Sequence, residues 1–312
     1  MHKAPVNGCD IHYHQVGEGE DIIFVHGLAA NHAFWNFRLL MPLAEHYRIT
    51  AYDLRGHGYS GMPDSGYSSD VLAEDLIGLM DCLGIRNAHL VGHSYGGVVV
   101  MHCAARHPDR VLSLTIQDSR IRALQPHQRL RDWPNWRQAQ AKLLEYGINI
   151  DENAEEIGVQ LLEQFAKPEW RENRERLAQG PLFGPFSGWS AGKRSAQKWL
   201  KLLETTTARQ DIQLEAGLNM EALKRIHQPT LAIYGQHSRC LKTYKRLNTV
   251  LPNCMTHLLP GVGHFYPLIK PVVVSELILA FLRSMEEHHN TAPERMLEAR
   301  TASQGQAWQP LF

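Results

Sequence analysis

Ser94 stands in Gly92-His93-Ser94-Tyr95-Gly96, a G-x-S-x-G pentapeptide. The apolar run 88–91 (AHLV) leads into it, and a helix-compatible run leaves it, ending at His107 before Pro108. A strand–turn–helix of this kind puts the serine on a sharp, strained turn and exposes its hydroxyl at the edge of a sheet. Glycine at 92 and 96 is expected there, because any larger side chain would clash. A hydroxyl becomes a nucleophile only beside a neutral base. Of 18 histidines, His264 has the best setting, in GVGHFYP between the last predicted strand and the last helix. A buried, hydrogen-bond-satisfied histidine is the alternative for it. His26-Gly27-Leu28 follows the apolar run 22–25. The backbone N–H groups of Leu28 and Tyr95 could jointly face a carbonyl oxygen held over Ser94, as an oxyanion hole. His26 itself reads as structural rather than as a proton carrier.

The elements that must position these groups alternate. Residues 11–16 read as an edge strand and 22–25 as a buried strand. A helix follows over 35–46, then a strand over 48–52 and a helix over 70–83 whose cap is Ser68 or Ser69. Strands at 88–91 and 111–116 flank the serine helix. This order argues for a parallel sheet covered on both faces. From 120 to 228 the pattern is helical, with stretches near 135–146, 153–166, 169–179 and 192–208. A strand returns at 230–234, followed by a helix near 239–249, a strand at 255–259 and a helix at 271–285. The reading is a core of 1–119 and 228–287, an inserted helical cap of 120–227 and a polar tail of 288–312.

The order HG (26–27), DLRGHG (53–58), GHSYGG (92–97) and PGVGH (260–264) resembles the α/β-hydrolase superfamily. The resemblance implies a mostly parallel sheet flanked by helices, a cap, and a triad in the order Ser94, acid, His264. The acid is where the chain departs from the pattern. The family usually carries it after the penultimate strand, where this chain has Tyr234-Gly235-Gln236-His237-Ser238-Arg239, and no Asp or Glu occurs from Ala222 to Ser275. Some members carry it one strand earlier. Asp118, just beyond 111–116, is in that position and is expected to accept the histidine Nδ1–H. Capping of its own loop is its bland alternative. Asp53 is expected to brace the DLRGHG turn, with Arg55 supporting it, and stays a rival acid together with Asp211 and Glu215.

Dehalogenases and epoxide hydrolases of this fold use an aspartate where this chain has Ser94. Serine implies acyl transfer: hydrolysis of an ester, thioester or amide, with cofactor-free C–C hydrolysis as a further option. A silent receptor that keeps the pocket is the alternative of another class. Phe183, Phe186 and Trp189, in an irregular Pro/Gly/aromatic stretch, are candidates for an apolar acyl pocket.

Composition narrows the partners. The chain has 312 residues, with 32 basic and 32 acidic side chains. It thus lacks the basic excess of a nucleic-acid binder. Within that balance, 120–142 carries Arg120, Arg122, Arg129, Arg131, Arg137 and Lys142 against Asp132 alone. That run is either a solvated helical face or a dock for an anionic substrate such as coenzyme A or an acidic carrier protein. No apolar run reaches membrane-spanning length and the first residues lack the apolar stretch of a secretory signal. Five cysteines, with no CxxC pair, predict free thiols, a cytoplasmic location and no structural zinc; no metal or cofactor is expected.

Overall fold

The computed structural model describes residues 2–286 apart from 134–135, 146, 148, 150, 155 and 169–188. Eight strands form one sheet: β1 (His2–Val6), β2 (Cys9–Val16), β3 (Glu20–Val25), β4 (Tyr47–Tyr52), β5 (Ala88–His93), β6 (Val111–Gln117), β7 (Thr230–Gly235) and β8 (Cys254–Leu259). Their order is β1-β2-β4-β3-β5-β6-β7-β8. β1 pairs antiparallel with β2, and β2 with β4; all other pairings are parallel. The expected edge strand is therefore the inner arm of a hairpin. Its turn is Asn7-Gly8, both at positive φ, the two-residue connection that matches strand twist.

The inner parallel strands are buried almost throughout because both their faces are covered. Along β3, Ile23 and Val25 enter one core and Ile22 and Phe24 the other. The first core lies under α2 (Ser69–Cys82) and α3 (Tyr95–Arg106). The second lies under α1 (Phe37–Ala44) and a helix over 271–286. Ser68 is the N-cap of α2 by position, but its hydroxyl donates to Asp70 and accepts no backbone N–H of the helix.

Between β6 and β7 the described residues form helices, as expected: α4 (Trp136–Glu145), α5 (Ile157–Ala166) and α6 (Trp189–Thr205). Trp199, Leu202, Leu162 and Ile212 pack with Ala29 and Tyr67 of the core, so the insertion is seated on the sheet's loops. Lys198 of α6 fixes that seat by donating to the carbonyls of Gly58 at 2.9 Å and Ser60 at 2.6 Å. The 169–179 helix and the 288–312 tail expected from sequence lie outside the described residues. Among the described residues, no helix is long and apolar enough to cross a membrane, and all five cysteines are free.

Four of the buried histidines, at the sheet's C-terminal edge or in α3, have their basicity strongly lowered. Burial holds His26 and His102 down to about 4, and His57 and His93 down to about 3. In the unfolded chain each takes up a proton near pH 6.5. Acidification from 6.5 towards 4 thus protonates the unfolded state alone, and stability falls across that window by up to about 1.4 kcal/mol per pH unit for each histidine. Urea midpoints measured between pH 7.5 and 4.5 should drop steeply below 6.5; a flat profile would contradict the neutral burial of these rings.

Candidate active site

Ser94 is held between β5 and α3 at φ 55° and ψ −120°. That is a strained backbone for a non-glycine residue. The turn is tight because α3 starts hard against the β3 loop. A Cβ on Gly96 would lie 2.6 Å from the His26 carbonyl oxygen, and one on Gly27 would lie 2.8 Å from the Ser94 Cβ. The Ser94 N–H is tied to the Gln117 carbonyl at 2.8 Å, so the serine turn is registered directly against the end of β6.

One residue beyond β6 is Asp118, fully buried and itself at φ 47°. Its Oδ1 is 2.8 Å from His264 Nδ1, and His264 Nε2 is 3.1 Å from the Ser94 hydroxyl. A carboxylate only accepts, so Nδ1 carries the proton and Nε2 offers its lone pair to Ser94. Ser94, His264 and Asp118 are a Ser–His–Asp triad, the arrangement of a serine-dependent hydrolase. Asp118 is held by more than the imidazole. Gly235 N–H donates to Oδ2 at 2.9 Å, and the Ser238 hydroxyl donates to Oδ1. The Cys240 N–H, 2.8 Å from Ser238 Oγ, occupies that oxygen's lone pair and so aims its proton at Asp118. Burial would raise the Asp118 carboxyl, but the His264, Gly235 and Ser238 donors outweigh it and bring it below the usual carboxylate range. Burial, and then the Arg239 guanidinium, lower His264 against the opposing pull of Asp118. The resting imidazole is therefore neutral near pH 7 and fit to accept a proton.

The rival acids have other work. Asp53 Oδ1 accepts from the His32 N–H at 2.7 Å and from His32 Nδ1 at 2.8 Å, and Oδ2 accepts from the Tyr59 N–H at 2.7 Å. Burial opposes its charge, yet these donors bring it down to about 2. Arg55 grips Asp75 through two bonds of 2.5 Å. Asp211 accepts from the Gly66 and Tyr67 N–H groups at 3.1 and 3.0 Å. His26 donates from Nδ1 to the Gly27 carbonyl at 2.7 Å and accepts the Leu54 N–H at Nε2 at 3.1 Å, which is a structural role. His93, between Gly92 and Ser94, stacks on Phe34 and donates to the His264 carbonyl at 2.9 Å. Its contribution to holding the base had no separate signal in the sequence.

A cavity of ≈110 Å³ opens over Ser94. Leu28 and Tyr95 line it, as do Val159 and Leu162 of the cap. So do Arg120 and Arg122, which turn inward and share Glu156 at 2.6 and 2.8 Å. Arg131 of the same basic run is exposed. Phe183 and Phe186 lie outside the described residues, and of Trp189 only its place at the start of α6 is described. Among the described residues, two clusters bring metal-ligand atoms within 4.8 Å of one another: Asp118, Cys240 and His264, and His12, His32 and Asp53. The first includes two triad members. In the second, the Asp53 oxygens are already engaged by His32 and Tyr59.

Residues 22–271 match the family described as the alpha/beta hydrolase fold. A 2-hydroxymuconate semialdehyde hydrolase of Pseudomonas sp. (strain CF600) is 39% identical over 115 residues, 36% of this chain and 41% of that enzyme, so less than half of the relative is matched. The bifunctional esterase/perhydrolase DCH of Acinetobacter calcoaceticus is 26% identical over 292 residues, 89% of this chain and 98% of the relative. A crystal structure of a membrane phospholipase A, described as a bacterial virulence factor, superposes with a TM-score of 0.69 at 24% identity, covering 91% of this chain and 86% of that one. The meta-cleavage product hydrolase CumD of Pseudomonas fluorescens IP01 gives 0.64 at 21% identity, covering 91% and 98%. At those identities the two structures speak for the fold alone.

Asparagine tolerates the left-handed backbone at 118, so Asp118→Asn should fold. It should lower kcat by about 10³–10⁴, because an amide can hold the wrong histidine tautomer. Asp53→Asn should chiefly lower the melting temperature. Circular dichroism melts and steady-state kinetics on both variants separate the roles; near-normal turnover by Asp118→Asn would remove it from the triad.

Proposed function

Since the chain belongs to the alpha/beta hydrolase family, we propose that it hydrolyses a carboxylic ester through an acyl-enzyme on Ser94. The observation that carries this is the continuous chain from Ser94 Oγ to His264 Nε2 at 3.1 Å and from His264 Nδ1 to Asp118 at 2.8 Å. In the proposed course, Ser94 attacks the ester carbonyl while His264 takes its proton, and the imidazolium is supported by Asp118. The tetrahedral oxyanion is stabilised by the N–H groups of Leu28 and Tyr95, which belong to residues lining the cavity at the serine. His264 then returns the proton to the departing alcohol. Water, activated by the same imidazole, releases the acid.

The relative matched over 98% of its length is named as an esterase/perhydrolase, which favours an oxygen ester over the C–C bond. The same triad would serve a thioester of coenzyme A or of an acidic carrier protein. However, Arg120 and Arg122 are both paired with Glu156, and this offsets part of the positive charge that a docking face would offer. The smaller ester is therefore the better-supported substrate. A reducing, cytoplasmic setting fits five free thiols, and belongs to the same proposal.

Trapping with a fluorophosphonate tests the nucleophile. Intact mass should show one adduct in the native protein and none in Ser94→Ala. Turnover of 4-nitrophenyl butyrate should fall by roughly 10³-fold or more in that variant. Retained turnover in Ser94→Ala would overturn the serine mechanism. Absence of both adduct and turnover on esters and thioesters would favour a non-catalytic receptor instead.

A further inference from the structure

Ester hydrolysis by the triad leaves one group at the site without a task. Arg239 follows Ser238 in the β7 loop and lines both the cavity over Ser94 and the narrower cleft formed by Gly27, Phe34 and Phe265. Its guanidinium lies over the Trp133 ring, 5.6 Å from the centroid. Its Nε is buried and finds no hydrogen-bond partner among the described residues. The neighbouring Cys240 thiol is pushed by burial to about 12 and carries no charge. Nearby, one carboxylate, Glu156, is shared by two guanidiniums, those of Arg120 and Arg122. The exposed Glu215 is the other acid on the cavity wall. Three arginines thus line a cavity whose wall carries two carboxylates, and among the described residues Arg239 forms an ion pair with neither.

That placement conflicts with catalysis in the empty site. The reaction must create a positive imidazolium on His264, and Arg239 disfavours that charge. Asp118 offsets part of the Arg239 charge, but its oxygens are committed to His264, Gly235 and Ser238, so the guanidinium can still take an anion brought by the substrate. On the reading of Ser94 as an ester-cleaving nucleophile, we propose that Arg239, backed by the Arg120–Glu156–Arg122 cluster, is the subsite for a carboxylate carried by the substrate itself, so that the preferred ester is a half-ester of a dicarboxylic acid. A guanidinium binds a carboxylate through two parallel N–H bonds. The incoming charge would also relieve the opposition to the His264 imidazolium.

The test compares monomethyl glutarate with methyl 5-oxohexanoate, in which a neutral acetyl group replaces the carboxylate. The native protein should prefer the half-ester by about 10- to 100-fold in kcat/KM, the range of one charge-assisted hydrogen-bonded contact. Arg239→Gln should erase most of that ratio, mainly through KM for the half-ester. Arg239→Lys keeps the charge without the fork and should give an intermediate ratio, which also guards against a misfolded Gln variant. By calorimetry, glutarate should bind Ser94→Ala and fail to bind Ser94→Ala combined with Arg239→Gln. Equal rates on the two esters, or a ratio untouched at Arg239, overturns the subsite. Glutarate binding that depends on Arg239, with neither ester cleaved, upholds the subsite and overturns the ester reading. Neither binding nor turnover overturns both.

Discussion

A single buried carboxylate organises the C-terminal edge of this sheet. Asp118 directly follows β6; its oxygens are taken by Gly235 at the end of β7, by Ser238 from the loop after β7 and by His264 from the loop after β8. An ionised group with no exposure costs several kcal/mol unless its lone pairs are filled, so the three neighbouring loops can close only in the arrangement that fills them. The adjacent order β5-β6-β7-β8 then sets serine, acid, supporting hydroxyl and base on successive strand ends. The strained backbone at Ser94 and the left-handed one at Asp118 are kept by this network, since neither is favoured locally.

A second buried carboxylate works outside the reaction. Asp53 gathers the backbone N–H groups of His32 and Tyr59, drawing the loop that begins after β3 at His26 towards the DLRGHG turn. The outer carbonyls of that turn receive Lys198 from the insertion. One short, glycine-rich segment therefore carries a charge network on its inner side and the seat of the cap on its outer side. The cavity over Ser94 depends on both, because Leu28 comes from the loop Asp53 braces while Leu162 comes from the helix packed against α6.

What the sequence disclosed follows from how local each signal is. The serine turn was legible because strand, G-x-S-x-G and helix are contiguous and its glycines answer to a steric need. The alternation of strands and helices was legible because strands buried on both faces carry short, mostly apolar runs. Asp118 needed more: the empty acid position at 234–239 and the resemblance to a family in which the acid has two homes. The N-terminal hairpin was overlooked although Asn7-Gly8 is its natural turn; β1 is short and mostly exposed, with the pattern eeBeB, so it carries little apolar periodicity. The partnership of Arg120 and Arg122 with Glu156 could not be read at all. It spans 34–36 residues between a loop after β6 and the residue before α5, whose packing decides which way the side chains turn, and a basic run looks the same facing inward or outward. The aromatic residues at 183 and 186 lie outside the described residues, so the apolar pocket assigned to them stays a proposal.

The placement of Asp118 and the missing acid at 238 are one fact rather than two. The Ser238 hydroxyl donates to the same Oδ1 that accepts from His264. A carboxylate at 238 would meet Asp118 across a hydrogen-bond distance inside a buried site, and two such charges cannot both ionise. One would hold a proton and the pair would share the single charge that the imidazolium needs. With serine there, the position contributes a donor instead: it removes the like-charge conflict, fills a lone pair and favours the ionised form of Asp118. The stretch from Ala222 to Ser275 is thus able to lack acids altogether without weakening the triad, because the loop that would otherwise supply the charge now stabilises it from the side.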